Sequence, residues 1–311
     1  MATQTQVVNL ATEKFSVGES LTALALRRLR RDWLTLIAIA VIIILALLAI
    51  FAPFIEKQVL KVSYTNTNEA AFQPPGTPGH ILGTDDLGRD HFIRLLYAGQ
   101  VSLGIAFAAA VLSLVIGVGL GVITGYFGGF VDDLINWVIT TLSSIPSLFL
   151  LLIVSAVILT NPRLQNSFLA GPFSLVLILG LLGWTGITRL VRGETLSIRE
   201  REYIISARAI GASPWRIMAS HIIPNLFSVV IITLAGDIGG LILTESALSF
   251  LGLGVRPPTP TWGNMLTNAQ SLFTKGVYLV VAPGLLIVVT VLCLFVIGDG
   301  LRDAFDPMTV D

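Results

Sequence analysis

Long uncharged apolar segments alternate with polar, charge-bearing segments along this chain. About 20 apolar residues suffice for a helix to cross the hydrocarbon core of a bilayer, so each long uncharged segment predicts a spanning helix. Strands are not expected, because an open sheet edge would leave unpaired backbone groups in lipid. The pattern predicts an all-α polytopic membrane protein with six transmembrane helices, at roughly residues 33–54, 101–125, 134–159, 173–191, 225–253 and 277–298.

Two polar segments are long enough to do more than connect spans, namely residues 56–96 and 192–224. A connection that only reverses the chain between helices needs about 2–8 residues. The predicted organisation is a tail at 1–32, a first transmembrane helix at 33–55, a loop at 56–96, a five-helix domain at 97–299 that includes loop 192–224, and a tail at 300–311.

Composition supports the membrane interpretation. Only 12% of the residues are charged and the mean hydropathy is +0.85, whereas soluble domains carry about 25% charged residues. A soluble enzyme, a secreted disulfide scaffold and a disordered regulator are therefore excluded. The formal net charge is zero, with 19 basic and 19 acidic residues, so no overall field attracts nucleic acid.

Residues for cofactor chemistry are sparse. Cys293 is the single cysteine and cannot form a disulfide within the chain, and His80, His91 and His221 are far apart in sequence. The sequence has no G-x-x-x-x-G-K-[ST] phosphate-binding loop. We therefore expect no catalytic residue, metal or cofactor in this chain.

The distribution of basic residues predicts the orientation. With the N-terminus inside, 12 Lys and Arg residues fall on the cytoplasmic side and 7 on the outer side. Basic residues favour cytoplasmic segments, so both termini and loop 192–224 are expected in the cytoplasm. Loop 56–96 is then external.

Loop 192–224 has the markers of two short helices. Glu202 to Ile210 reads as a helix that ends at Gly211. Ser213 and Pro214 read as an N-cap followed by a proline in the first helical position, with the second helix ending before Pro224. The pattern predicts a compact helical projection, and a solvated connector is the alternative.

The same loop resembles the cytoplasmic signature of ABC importer permeases. That signature is an acidic-Ala-Ala triplet, a glycine four residues past its last alanine and a proline thirteen beyond the glycine. Ala207, Gly211 and Pro224 hold those positions, whereas Ile205 replaces the usual glutamate and Ser206 the first alanine. His221 stands at a usual isoleucine.

Further motifs resemble the dipeptide, oligopeptide and nickel branch of these permeases. The single span before a long external loop resembles the second of the two permeases in such systems. Gln100 departs from the arginine that this branch often has. The matching motifs are GTDDLGRD at 83–90, GYFGG at 125–129, LSFLGLG at 248–254, Pro257-Pro258 and Trp262-Gly263.

The resemblance implies a type I ABC importer permease in the plasma (inner) membrane of a bacterium or archaeon. It implies a second homologous permease, two ATP-binding subunits that bind ATP and Mg, and an external solute-binding protein. The transported solute is expected to be peptide-like, with nickel and oligosaccharides left open. The residues expected to couple to the ATPases are Ile205, Ser206, Ala207, Arg208, Ala209, Gly211, Ala212, Ser213, Arg216 and Pro224.

Asp237 and Glu245 are the acidic residues expected inside a span. Eight residues place them about 80° apart on a helix, so both can face the interior of a bundle. Since charge at membrane depth is costly, both are candidates for the translocation pathway. Alternatively, Glu245 accepts hydrogen bonds from neighbouring helices.

Gly117, Gly121 and Gly125 follow the small-xxx-small spacing that lets helices approach closely. This spacing fits helix packing within the chain or a seam with a partner. In the external loop, Thr84 is expected to cap a short amphipathic helix with Asp85 and Asp86 in its first turn.

Two other classes of function compete with the importer permease. A secondary transporter or channel would show inverted repeats and paired broken helices, which the sequence does not show. An intramembrane enzyme would need a Ser/His pair or a metal cluster within the spans, and His221 lies instead in the predicted cytoplasmic loop.

Overall fold

The computed structural model describes residues 21–67, 69–161 and 171–305. The predicted tail at 1–32 and the end of the tail at 300–311 lie largely outside this range. The described residues form helices and two isolated β-bridges. The described α-helices of four or more residues are α1 (Leu21–Leu29), α2 (Trp33–Ile50), α3 (His91–Phe127), α4 (Gly129–Ser143), α5 (Ser147–Thr160), α6 (Pro172–Arg199), α7 (Glu202–Ala209), α8 (Pro214–Ile217), α9 (Phe227–Phe250), α10 (Ala269–Lys275) and α11 (Tyr278–Phe305).

Among the described residues, five helical segments are long and apolar enough to cross a membrane. They are α2, α3, α6, α11 and the continuous segment Pro214–Phe250. The bent pair α4–α5 brings the number to six if it is taken as one span. The predicted all-α architecture with six transmembrane segments is therefore confirmed.

The third predicted span is not a single helix. In place of a helix over 134–159, α4 and α5 meet at an angle of 84° around residues 144–146. Pro146 explains the break, because proline lacks a backbone N–H and disfavours helical geometry at the residue before it.

The second span begins earlier than predicted. Asp90 caps α3 by accepting the Ile93 N–H at 2.8 Å, so the helix starts at His91 instead of residue 101. Thr84 does not cap a helix. Its hydroxyl donates to the Ala70 carbonyl at 2.7 Å and accepts the Gln73 N–H at 2.9 Å, which fixes a turn in loop 56–96. The predicted amphipathic helix is therefore wrong.

Two other helices extend beyond their predicted ends. Helix α6 continues to Arg199 and α11 to Phe305, so loop 192–224 and the tail at 300–311 both begin inside helices. Both helices still pack against neighbours beyond their predicted ends, since Thr195 of α6 faces Gly125 and Gly300 of α11 faces Thr35.

Helices α3 and α6 form the main packing contact of the fold. A Cβ placed on Gly117, Gly121 or Gly125 would lie 2.6–2.7 Å from a side-chain carbon of α6. The facing residues are Ile187, Val191 and Thr195. These glycines therefore pack two helices of the same chain and allow their backbones to approach.

Candidate functional site

Loop 192–224 has the predicted order of helix, glycine and helix. Helix α7 ends at Ala209, and Gly211 adopts a left-handed conformation with φ +87°. The Ala212 N–H then donates to the Ala207 carbonyl at 3.0 Å, which closes the end of α7. Helix α8 follows, with the Ser213 hydroxyl accepting the Arg216 N–H at 3.4 Å. We call α7, the turn and α8 the coupling projection.

Pro224 does not end the second helix. After α8 the backbone continues through a π-helical turn, Met218–Ile222, and a 3₁₀ turn, Ile223–Leu226, into α9. A proline removes one backbone donor, and a change of helical pitch around it allows the chain to continue without a gap. The coupling projection is thus joined directly to a membrane-spanning helix.

The inner face of the coupling projection is part of the protein core. Ile204 and Ile217 are completely buried in a cluster with residues of α3 and α6, as is Ile222 in the π-helical turn that follows the projection. The contacting side chains on the membrane helices include Val122 and Val191. Because interiors are close-packed and stiff, the projection and these helices should move together.

The outer face of the coupling projection is apolar and exposed. Ile210 is 87% exposed and Trp215 is 66% exposed. Exposed apolar patches on proteins commonly mark a surface that another protein or a membrane covers. Of the predicted coupling residues, Ala207 is buried and Ala212 half-buried. The exposed ones are Ile205, Ser206, Arg208, Ala209, Gly211, Ser213, Arg216 and Pro224.

The coupling projection also contacts the end of α3 through aromatic residues. The Arg208 guanidinium lies 5.7 Å from the centroid of the Tyr126 ring, and the Trp215 ring lies 6.2 Å from that of Phe127. Arg199 donates to the carbonyls of Gly125 and Tyr126 at 3.0 and 3.2 Å. These contacts hold the GYFGG segment, residues 125–129, in place where α3 ends and α4 begins.

A salt bridge connects α4 to α6 near the same end. Two of the three guanidinium nitrogens of Arg192, Nε and Nη2, donate to the two oxygens of the Asp132 carboxylate in a bidentate arrangement. Sequence reasoning missed this pair and the Arg199 contacts, since the residues involved are 60 or more positions apart. The number of arginines in the 189–216 segment is the sequence feature that could have indicated these contacts.

Glu245 is completely buried within the chain, with 0% exposure. Its carboxylate accepts hydrogen bonds from the hydroxyls of Ser102 on α3, at 2.9 Å, and Ser249 on α9, at 2.7 Å. The Trp262 N–H donates to the same Ser102 oxygen at 3.2 Å. Within the chain, the Glu245 carboxylate thus links α3 to α9 through hydrogen bonds and is closed to solvent, as the packing alternative expects.

Asp237 has a different environment. Its side chain is half-buried and has no hydrogen bond or ion pair with any residue that the structure describes. Leu241 and Thr244 follow at four and seven positions, within about 40° of Asp237 around the helix. Both line a cavity of about 390 Å³ that also contacts Pro146 at the α4–α5 break.

Within the described ranges, no three His, Cys, Asp or Glu side chains are grouped so that they could hold a metal ion. The candidate site therefore consists of two parts. One is the exposed coupling projection, and the other is the cavity beside the broken span with Asp237 one turn away.

Comparisons with known proteins agree with this geometry. A family described as "Binding-protein-dependent transport system inner membrane component" matches residues 117–310, and one described as "N-terminal TM domain of oligopeptide transport permease C" matches residues 20–75.

Several curated relatives match along nearly their whole length. The oligopeptide transport system permease protein OppC of Bacillus subtilis is 34% identical over 91% of this chain and 88% of its own. The dipeptide transport system permease protein DppC of Alkalihalophilus pseudofirmus is 36% identical over the same shares. OppC of Mycobacterium bovis is 38% identical over 91% of this chain and 94% of its own.

These matches confirm the resemblance that the motifs indicated. They also place the chain in the inner membrane as a multi-pass protein. The chain belongs to the family of binding-protein-dependent transport system inner membrane components, the non-catalytic permease subunits of ABC importers.

Proposed function

We propose that this chain forms half of the translocation pathway of a peptide importer. The relatives named above are permeases of oligopeptide and dipeptide systems, which supports a peptide as the solute. Asp237 is half-buried on α9, one turn from the cavity that α4, α5, α6 and α9 line, and a surface shared between two permeases would require such partly open faces. A second homologous permease would close the other side.

The observation that carries the proposal is the coupling projection. Its tip exposes Ile210 and Trp215, while its base is buried against α3 and α6. An ATP-binding subunit that covers the apolar tip could thus transmit a rigid-body movement to the spanning helices. Two such subunits would bind ATP and Mg, and an external solute-binding protein would deliver the peptide.

Reconstitution tests this function directly. The chain is assembled with its second permease and two ATPases in proteoliposomes, and labelled peptide uptake is measured with ATP on the ATPase side. We expect uptake only when ATP and the solute-binding protein are both present. Uptake driven by an ion gradient without ATP would favour a secondary transporter.

The proposed orientation places both termini and the coupling projection in the cytoplasm. Its support is the 12-to-7 distribution of basic residues. After Cys293 is replaced by alanine, we expect Glu69→Cys to react with an impermeant thiol reagent applied to intact cells. Ile205→Cys, which is also exposed in the subunit, should react only after the membrane is opened.

The two cysteines control for each other because both positions are accessible in the isolated chain. The opposite labelling pattern would invert the topology and contradict a cytoplasmic coupling projection. If both variants, Ile205→Cys included, were labelled equally in intact and opened cells, the reagent would have crossed the membrane.

A further inference from the structure

A second, polar cavity of about 170 Å³ lies at the other end of the molecule, where α3 begins. One wall is the turn before α3 and its first helical turn, and the opposite wall is the 257–268 segment with α10. The lining includes Asp85, Arg89, His91, Arg94, Asn264 and Leu272. This cavity is separate from the one beside Asp237, and we call it the external cavity.

The inner part of the external cavity carries excess positive charge. The Asp85 carboxylate accepts from Arg89 Nε at 2.8 Å and lies 3.1 Å from Arg94 Nε. One carboxylate is thus shared between two guanidinium groups. Asp86 is the other acidic residue in the lining, but its side chain is 55% exposed and lies 3.5 Å from Arg89. The buried cluster of Asp85, Arg89 and Arg94 is therefore cationic.

Two buried side chains of the external cavity have polar atoms without a hydrogen-bond partner among the described residues. Arg94 is 5% exposed, and its Nη1 is one of these atoms. His91 is 2% exposed, and both of its ring nitrogens belong to this group, because the nearby Tyr278 backbone lies outside hydrogen-bond geometry. A buried donor without an acceptor carries a desolvation penalty, which is larger for a charged group. An acceptor from outside the chain would remove it.

The nearby carboxylate of Asp90 does not supply that acceptor. Its Oδ1 accepts the Ile93 N–H at 2.8 Å, and its Oδ2 is paired with His80 Nδ1 at 2.7 Å. The Asp85 Oδ1 atom accepts the backbone N–H groups of Leu87 and Arg89. The acceptors within the turn are thus already engaged.

We propose that the external cavity receives a carboxylate from an acidic side chain of the external solute-binding protein. A carboxylate matches the cationic cluster and accepts from Arg94 Nη1 and a His91 N–H. The cavity is smaller than the 300–1,000 Å³ or so of typical small-molecule sites, so it fits one side chain better than a peptide. This inference rests on the proposed function and on the external location of residues 56–96.

The test measures binding of peptide-loaded solute-binding protein to the whole transporter in nanodiscs. Arg94→Gln removes the central cation, and we expect the Kd to rise about tenfold or more. Arg94→Lys keeps the charge but not the second donor and should give an intermediate rise. Lys275→Gln is the matched control, because it removes an exposed positive charge from α10 outside the cavity lining.

A second variant works in the opposite direction and leaves the Asp85–Arg94 pair in place. Asp86→Asn removes a half-exposed negative charge near an incoming carboxylate, so we expect the Kd to fall several-fold at low salt. Its matched control is Glu69→Gln, an exposed carboxylate outside the cavity lining, which should leave the Kd unchanged. If Arg94→Gln fails to assemble, the comparison of Asp86→Asn with Glu69→Gln still tests the proposal.

Basal ATPase activity without binding protein should stay at the wild-type level in the two controls, Lys275→Gln and Glu69→Gln. An unchanged Kd in Arg94→Gln and Asp86→Asn would overturn the proposal. The proposal would also be overturned if the variants changed the KM for peptide at saturating binding protein but left the Kd for the binding protein unchanged. In that case the carboxylate would come from the peptide. If the binding protein fails to bind the wild-type complex at all, the proposed function itself is contradicted, and the inference with it.

Discussion

Replacing Gly211 with valine is expected to lower peptide-stimulated ATPase activity of the assembled transporter at least about tenfold. Gly211 has φ +87°, a conformation that a β-branched residue adopts only with strain of about 1–3 kcal/mol. The strain disfavours the turn that sets α7 against α8, and a free-energy change of about 1.4 kcal/mol is a tenfold change in population. ATP hydrolysis by the reconstituted complex, with and without loaded binding protein, measures the effect.

Gly211→Asn is the matched control. A Cβ at this position would have no heavy atom within 4 Å, so side-chain size alone is tolerated. Asparagine accepts left-handed backbone geometry far better than valine. We therefore expect Gly211→Asn to retain most of the stimulation. Equal activity in both variants and the wild type would contradict a coupling role for this turn, and equal loss in both would assign the effect to the side chain.

Local features of the fold could be predicted from sequence because their causes are local. The uncharged segments predict spans through the cost of charge in lipid, and Gly211 and Ser213 mark helix ends through their own backbone and side-chain preferences. The structure has these elements. The glycines at 117, 121 and 125 also signal close packing by spacing alone, although the spacing does not identify the helix that packs against them.

The features that sequence reasoning missed depend on contacts between distant segments. Glu245 accepts from Ser102, which is 143 positions away, and nothing in the spacing of Asp237 and Glu245 distinguishes a packing residue from a pathway residue. The unpartnered polar atoms of Arg94 and His91 can be identified only from the folded chain, in which these residues and the 257–268 segment line one cavity. The α4–α5 break is the exception, because Pro146 could have indicated it.

The broken span bears on the main alternative function. Secondary transporters commonly place paired broken helices in two related halves of the chain. Within the described ranges the structure shows one pair of helices, α4–α5, that together are apolar enough to span a membrane but are bent by more than 40°. A single break beside a cavity fits a subunit that contributes one half of a pathway, and family membership agrees with that interpretation.

Replacing Asp237 with leucine is expected to reduce peptide uptake more than tenfold, and replacing it with asparagine should cause a smaller loss. The carboxylate has no partner among the described residues, and it shares a helix face with Leu241 and Thr244 at the 390 Å³ cavity. A charged group at this depth must face water or a polar surface, because burying it in hydrocarbon would cost several kcal/mol. Asparagine keeps the volume and the polar surface, whereas leucine removes both. Uptake in proteoliposomes, normalised to assembled transporter, measures both losses.

Glu245→Leu distinguishes a pathway role from a structural one in the same experiment. Its loss would leave the buried hydroxyls of Ser102 and Ser249 without their acceptor, so we expect poor assembly instead of a slow transporter. Asp303→Asn, an exposed carboxylate at the far end of α11, should change neither uptake nor assembly. Wild-type uptake in both Asp237 variants would exclude the carboxylate from the path. Assembly failure in both would give Asp237 the same structural role as Glu245, and the path would then have to follow another face of α9.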